Sequence, residues 1–201
     1  MILNIRGCNG SGKSTVAMGL LDGPPRLLLT PEGPLTAGVE VALIGPYPEG
    51  KTGGCDRLKT FDETRRLIRY ARDRYRVVVF EGVIISTVFG SWATFCCEVP
   101  FVWAFLTTPY EVCLGRIRQR NGGVEFKESL VRGKWETMGR VKAKAAQAEF
   151  QVIELNWEAA DAECKKLCGL DCGARSHTPA QTSRGADPMD QGPDPLQISF
   201  L

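Results

Sequence analysis

Lys13, Ser14 and Thr15 stand directly behind three closely spaced glycines, Gly7, Gly10 and Gly12, in the stretch NIRGCNGSGKST at residues 4–15. The spacing Gly7-x-x-x-x-Gly12-Lys13-Ser14 is that of a phosphate-binding P-loop. Its chemistry follows from the residue types. Glycines let the backbone curl so that successive N–H groups point at one anion. A helix starting near Lys13 turns its positive end toward the same anion. Lys13 reaches the outer phosphates, and the Ser14 hydroxyl binds Mg²⁺. Gly7, Cys8, Gly10, Gly12, Lys13, Ser14 and Thr15 are therefore the expected nucleotide-side residues, with ATP and Mg²⁺ as the expected cofactors.

Further candidates lie downstream. Glu81 ends the apolar run RVVVFE and precedes Gly82. At the carboxyl end of a parallel strand it would stand beside the P-loop, where it could hold Mg²⁺ through water or take a proton from an attacking hydroxyl. Asp56 closes the glycine-rich loop at residues 45–56, and Gly53, Gly54 and Arg57 beside it are candidates for holding the acceptor. Asp56 is also a second candidate base, and the residues alone do not rank it against Glu81. Arg116 and Arg120 are one helical turn apart, which suits a lid that neutralises charge on a moving phosphoryl group. Asn121, Gly122 and Gly123 behind them read as a hinge.

These side chains need a scaffold that brings them to one edge. Ile2–Arg6 predicts a strand and the P-loop a following helix. Residues 26–30 and 39–44 read as two strands with turn chemistry between them. Thr60 and Glu63 form a capping box that opens a helix to about Tyr75. Residues 76–81, 100–107 and 151–155 read as further strands. Helices are expected after Pro109, over 126–150 and over 157–168. On the 126–150 helix, Leu130, Val131, Trp135, Met138 and Val141 form the expected apolar side. Strands alternating with helices predict an α/β fold, a three-layer sandwich around a mainly parallel sheet. Residues 1–168 are the expected domain. Residues 169–201 turn to Gly, Pro, Ser, Asp and Gln and read as a disordered tail.

At 201 residues and 43% apolar content the chain can bury a full core. A net charge of +2 makes no global case for nucleic acid. The local case is a stripe of Arg65, Arg69, Arg72 and Arg76 on the helix after Thr60, with Arg57 and Lys59 in front of it, which could track phosphodiesters. No stretch reads as a leader or a membrane span, so a cytosolic protein with reduced cysteines is expected. Cys164, Cys168 and Cys172 lie four apart but lack the partners of a zinc site.

With these residues in view, the chain resembles the P-loop kinases of the nucleotide and nucleoside kinase superfamily over residues 1 to about 168. More narrowly it resembles small P-loop kinases of tailed bacteriophages, through Gly53–Asp56 (GGCD), a charged helix, and a strand ending Phe80-Glu81-Gly82. Some of those kinases serve thymidine hypermodification and phosphorylate the hydroxymethyl group of 5-hydroxymethyluracil in DNA. The resemblance implies an ATP-dependent kinase acting on DNA with a modified pyrimidine, in the host cytoplasm. It also leaves two alternatives open. One is a kinase of a free deoxynucleotide or other small metabolite. The other is a regulatory protein that binds nucleotide without transfer chemistry and needs no base at Glu81.

Overall fold

The computed structural model describes residues 1–48, 53–122 and 124–170. Cys172, the hinge residue Gly123 and the tail reading from residue 171 onward lie outside the described residues; the first two residues of the expected tail belong to the domain, since Gly169 caps the helix that ends at Cys168 and Leu170 packs on the core.

β1 (Ile2–Arg6) is the first strand of a seven-stranded sheet in the order β2-β3-β4-β5-β1-β6-β7. The other strands are β2 (Arg26–Thr30), β3 (Gly33–Ala37), β4 (Val41–Ile44), β5 (Val77–Glu81), β6 (Val102–Leu106) and β7 (Val152–Leu155). β4, β5, β1, β6 and β7 run parallel, and β2 and β3 add an antiparallel edge. The fold is thus α/β with a mostly parallel sheet.

Burial on both faces explains the continuous apolar strands. Leu3, Ile5, Leu43, Val79 and Ala104 point to one face, where they meet α1 (Lys13–Gly19) and α7 (Ala160–Cys168). Ile44, Phe80, Trp103 and Phe105 point to the other. That face packs on α2 (Phe61–Arg72), α3 (Val83–Thr87), α4 (Gly90–Glu98) and α6 (Glu128–Gln147). Its rings interlock: Phe80 lies 5.4 Å from Trp92 and 5.1 Å from Phe101, ring centre to ring centre. Truncating Phe80 to alanine would cost about 3–5 kcal/mol by cavity formation.

Several expectations are corrected. The segment at residues 31–38 is not simply a turn, because β3 runs through it and Leu35 and Ala37 are fully buried. Its Gly33-Pro34 start masks the strand, since proline is tolerated where a strand begins. β4 starts at Val41 rather than residue 39. α2 ends at Arg72, so Arg76 is not on it. The N-cap forms, with Thr60 Oγ1 accepting the Glu63 N–H at 3.0 Å, but the return bond of the box is shifted by one residue: Glu63 accepts the Lys59 N–H at 2.8 Å rather than that of Thr60. On α6, Val131, Met138 and Val141 are buried, but Leu130 and Trp135 are exposed. α3 and α4 were not expected; α3 has only five residues. Cys164 and Cys168 are buried thiols of the core. Among the described residues no group of side chains is arranged to hold a metal by itself, and no helix is long and apolar enough to cross a membrane.

Candidate active site

Because the five parallel strands point the same way, their carboxyl ends share one edge, and ligands of such sheets bind there. The P-loop leaves β1 at this edge. Tyr47 follows β4, Glu81 ends β5, Thr108 follows β6 and Trp157 follows β7. Between them lies a cleft of about 790 Å³. Lys13, Ser14, Thr15, Gly10 and Gly12 form its nucleotide side, Gly53, Asp56, Arg57 and Glu81 its other side, and Arg116 and Arg120 its roof. Residues chosen for their types and spacing therefore converge on one space. Gly7, Cys8 and Gly54 support it from behind.

The P-loop has the backbone that the motif requires. Gly12 caps α1 at φ 97°, a left-handed conformation that a side chain would strain. The loop is braced on α5 (Tyr110–Arg120) and the turn before it, with Thr108 Oγ1 donating to the Ser11 carbonyl at 2.9 Å. Lys13 is buried and donates to the Cys8 carbonyl at 3.0 Å, across the loop from its own backbone. Ser11 Oγ is buried within the loop without a hydrogen-bond partner, a donor suited to an incoming oxyanion. The Cys8 thiol packs on Cys113, whose hydrogen bond lowers its pKa, with the nearby Lys13 charge acting in the same direction.

Glu81 is the buried acid of the cleft. Its Oε1 accepts the Ser14 hydroxyl at 2.9 Å and the Tyr47 hydroxyl at 3.3 Å. Burial raises its pKa above the usual carboxylate range, while Lys13 and the Ser14 hydrogen bond act against that. Gly54 explains how the loop passes so close. At φ 83° its missing side chain would stand 2.5 Å from Glu81 Oε1. A Ser14 hydroxyl beside a carboxylate oxygen is a pair of hard oxygen donors that fits Mg²⁺.

Asp56 has a different environment. One of its oxygens accepts the Val83 N–H at 2.6 Å, and the other accepts the Ile84 N–H at 3.1 Å. It caps α3 from a separate element, the short 3₁₀ turn Cys55–Arg57. The arginines of the roof also differ from each other. Arg116 Nη1 lies 3.3 Å from the Gly10 carbonyl and 3.4 Å from that of Ser11, and its guanidinium stands 5.0 Å from the Trp157 ring. Arg120 is exposed at the cleft mouth.

Tyr47, Trp157 and Arg6 were not expected at the site. The available signal was positional: Tyr47 and Trp157 each follow a parallel strand within three residues. Arg6, the last residue of β1, is fully buried, and its guanidinium lies 3.9 Å from the Trp103 ring. It donates to the Ser86 and Val88 carbonyls at 3.2 Å each, tying down the far end of α3. Burial without an acid brings its pKa down to about 9.

Each arginine of the expected stripe has an acid beside it: Arg65 pairs with Asp62, Arg69 with Glu98, Arg72 with Asp73, and Arg76, which stands off α2, with Glu40.

The family model described as "5-hmdU DNA kinase" matches residues 1–150. The 5-hmdU DNA kinase of Pseudomonas phage M6 is 38% identical over 179 residues, covering 82% of this chain and 96% of that one. 5-hmdU DNA kinase 1 of Salmonella phage ViI is 37% identical over 142 residues, covering 66% of this chain and 64% of its own length. Among solved structures, a gluconokinase from Sinorhizobium meliloti 1021 superposes with a TM-score of 0.48 at 17% identity, covering 84% of this chain and 91% of that one. That superposition is loose.

Proposed function

This chain belongs to the 5-hmdU DNA kinase family, and we propose that it moves the γ-phosphoryl group of ATP to the 5-hydroxymethyl oxygen of 5-hydroxymethyldeoxyuridine in DNA. The observation that carries the residue assignment is the buried Glu81 carboxylate, 2.9 Å from Ser14, in the cleft that also holds Lys13 and Arg116.

The roles follow from position. The loop amides and Lys13 hold the outer phosphates. Ser14 would hold Mg²⁺, with the Glu81 carboxylate beside it, and the ion when bound would screen charge between the phosphates. Glu81 takes the proton of the acceptor hydroxyl as its oxygen bonds to the γ-phosphorus. The bond from that phosphorus to the bridging oxygen breaks, and ADP departs. A primary alcohol is a weak nucleophile, so a carboxylate within hydrogen-bond reach contributes about 10²–10⁴-fold. Lys13, Arg116 and Arg120 offset the charge on the moving group. Asp56 is assigned to shaping the acceptor wall, because its oxygens already hold two backbone N–H groups. Gly53, Gly54 and Arg57 line or back the same wall.

The test is phosphate transfer from labelled ATP with Mg²⁺ to three acceptors: DNA containing 5-hydroxymethyluracil, the same DNA with thymine, and a set of free deoxynucleotides. Label on the hydroxymethyl DNA alone is expected. Label on free nucleotides alone would overturn the polymer acceptor, and label on none would remove transfer chemistry from the proposal.

A further inference from the structure

The acceptor reading places the reacting oxygen at Glu81, and Glu81 is only 2% exposed. It lies at the floor of a cleft of about 790 Å³ that must also take a triphosphate. A C5 substituent on a paired pyrimidine projects into the major groove but stays on the edge of its base. A double helix does not fit such a cleft, whereas a single nucleotide does. Chemistry on one base then requires that base to leave the stack.

Beside the cleft lining stands a side chain suited to the gap left behind. Ile84 is 56% exposed, while Ile85 and Ser86 beside it are buried. Its neighbour Val83 lines the cleft. α3 is too short to be stable by itself, yet it is fastened at both ends. Asp56 holds the Val83 and Ile84 N–H groups, and Arg6 holds the Ser86 and Val88 carbonyls. On the buried side of α3 the Ser86 hydroxyl donates to the Gly82 carbonyl at 2.5 Å. Lone exposed aliphatic side chains are common. This one stands on a short element held by a buried arginine and a capping aspartate, next in sequence to Val83, which lines the cleft the acceptor must enter. Because Asp56 covers the α3 amides, they do not offer an anion site, and what the tip presents is an aliphatic wedge. Apolar wedges of this kind enter base steps and hold them open.

We infer that the target nucleotide swings out of the duplex into the cleft, and that Ile84 occupies the space it vacates. This rests on the acceptor assignment above. The experiment compares the parent and Ile84→Ala on one hydroxymethyluracil sequence presented as paired duplex, as single strand, and as duplex with an abasic site opposite the target. Ile84 is exposed, so the variant keeps its fold. Expected is a loss in kcat/KM of tenfold or more on the paired duplex, a change within twofold on the single strand, and recovery opposite the abasic site. A 2-aminopurine next to the target should brighten when the parent binds and stay dim with the variant. An equal loss on paired and single-stranded acceptors, or no loss on either, overturns the wedge. So does a parent enzyme that labels the single strand and not the duplex. A parent that labels free nucleotides only shows instead that the acceptor assignment has failed, and the wedge falls with it.

Discussion

On α2 each arginine of the stripe is answered by an acid, whereas on α5 Arg116 and Arg120 face a cleft whose acid, Glu81, is held by hydroxyls. Both helices show arginines at one-turn spacing, so spacing does not separate them. What separates them is where the carboxylates come from. The acids that meet the α2 stripe lie between one and 29 residues away in sequence from their arginines. Flank charges pair with each other in water, where such pairs contribute about 0–1 kcal/mol each. Cleft charges are held by hydroxyls, carbonyls and a ring, and so stay directed at a ligand. On α5 itself, Arg118 points away and pairs with Glu128, while Arg116 two residues earlier crosses the P-loop.

The largest expected effect is at the acid. Glu81→Gln should lower kcat on the hydroxymethyl DNA about 10²–10⁴-fold, the range for a proton acceptor, as read by labelled-phosphate transfer. A loss below tenfold would place Glu81 with the flank charges. Arg116→Ala should follow at about 10²-fold in kcat, and a change confined to KM would reassign it to ground-state binding. A smaller effect separates stability from activity. Because burial raises the pKa of Glu81 in the folded protein, its protonated form favours folding. That contribution is full below the unfolded carboxyl value and is lost as pH rises through the raised folded value. Thermal melts of Glu81→Gln should therefore gain on the parent as pH goes from 4 to 8; a constant offset would deny the shift. The smallest effect is at the flank. Arg69→Ala with Arg72→Ala should leave the salt dependence of DNA binding unchanged, whereas a slope reduced by about two counterions would return α2 to the DNA-binding surface.

The sequence showed most clearly what depends on neighbours along the chain. The P-loop is a local arrangement, so Gly7 to Ser14 announced both its backbone and its ligand. β5 was legible as an apolar run ending in an acid, and that placed Glu81. Asp56 was harder. Its loop could be seen, but the amides it caps belong to residues 27 and 28 positions later, and no spacing rule connects them. β3 hid behind Gly33-Pro34 for the opposite reason, since its turn-forming residues were real but marked a strand start. α3 and α4 fell between two clear strands and, at five and nine residues, are shorter than the window over which helical periodicity can be counted. Trp157 and Tyr47 are single residues just past strand ends, where only the assembled sheet shows that they share an edge with the P-loop.

The Thr108 corner links two distant parts of the molecule. Its hydroxyl holds the Ser11 carbonyl, and its own carbonyl accepts the Trp135 indole N–H at 3.1 Å. One residue before that tryptophan, Lys134 lies 3.5 Å from Asn9 Oδ1. An indole half in water is thus wired to the cradle through one threonine, while Trp92 and Trp103 are sealed in the core. Nucleotide loading that shifts Ser11 is therefore expected to change Trp135 emission, read by titration in a Trp157→Phe background because Trp157 lines the cleft itself; an unchanged spectrum would break the link.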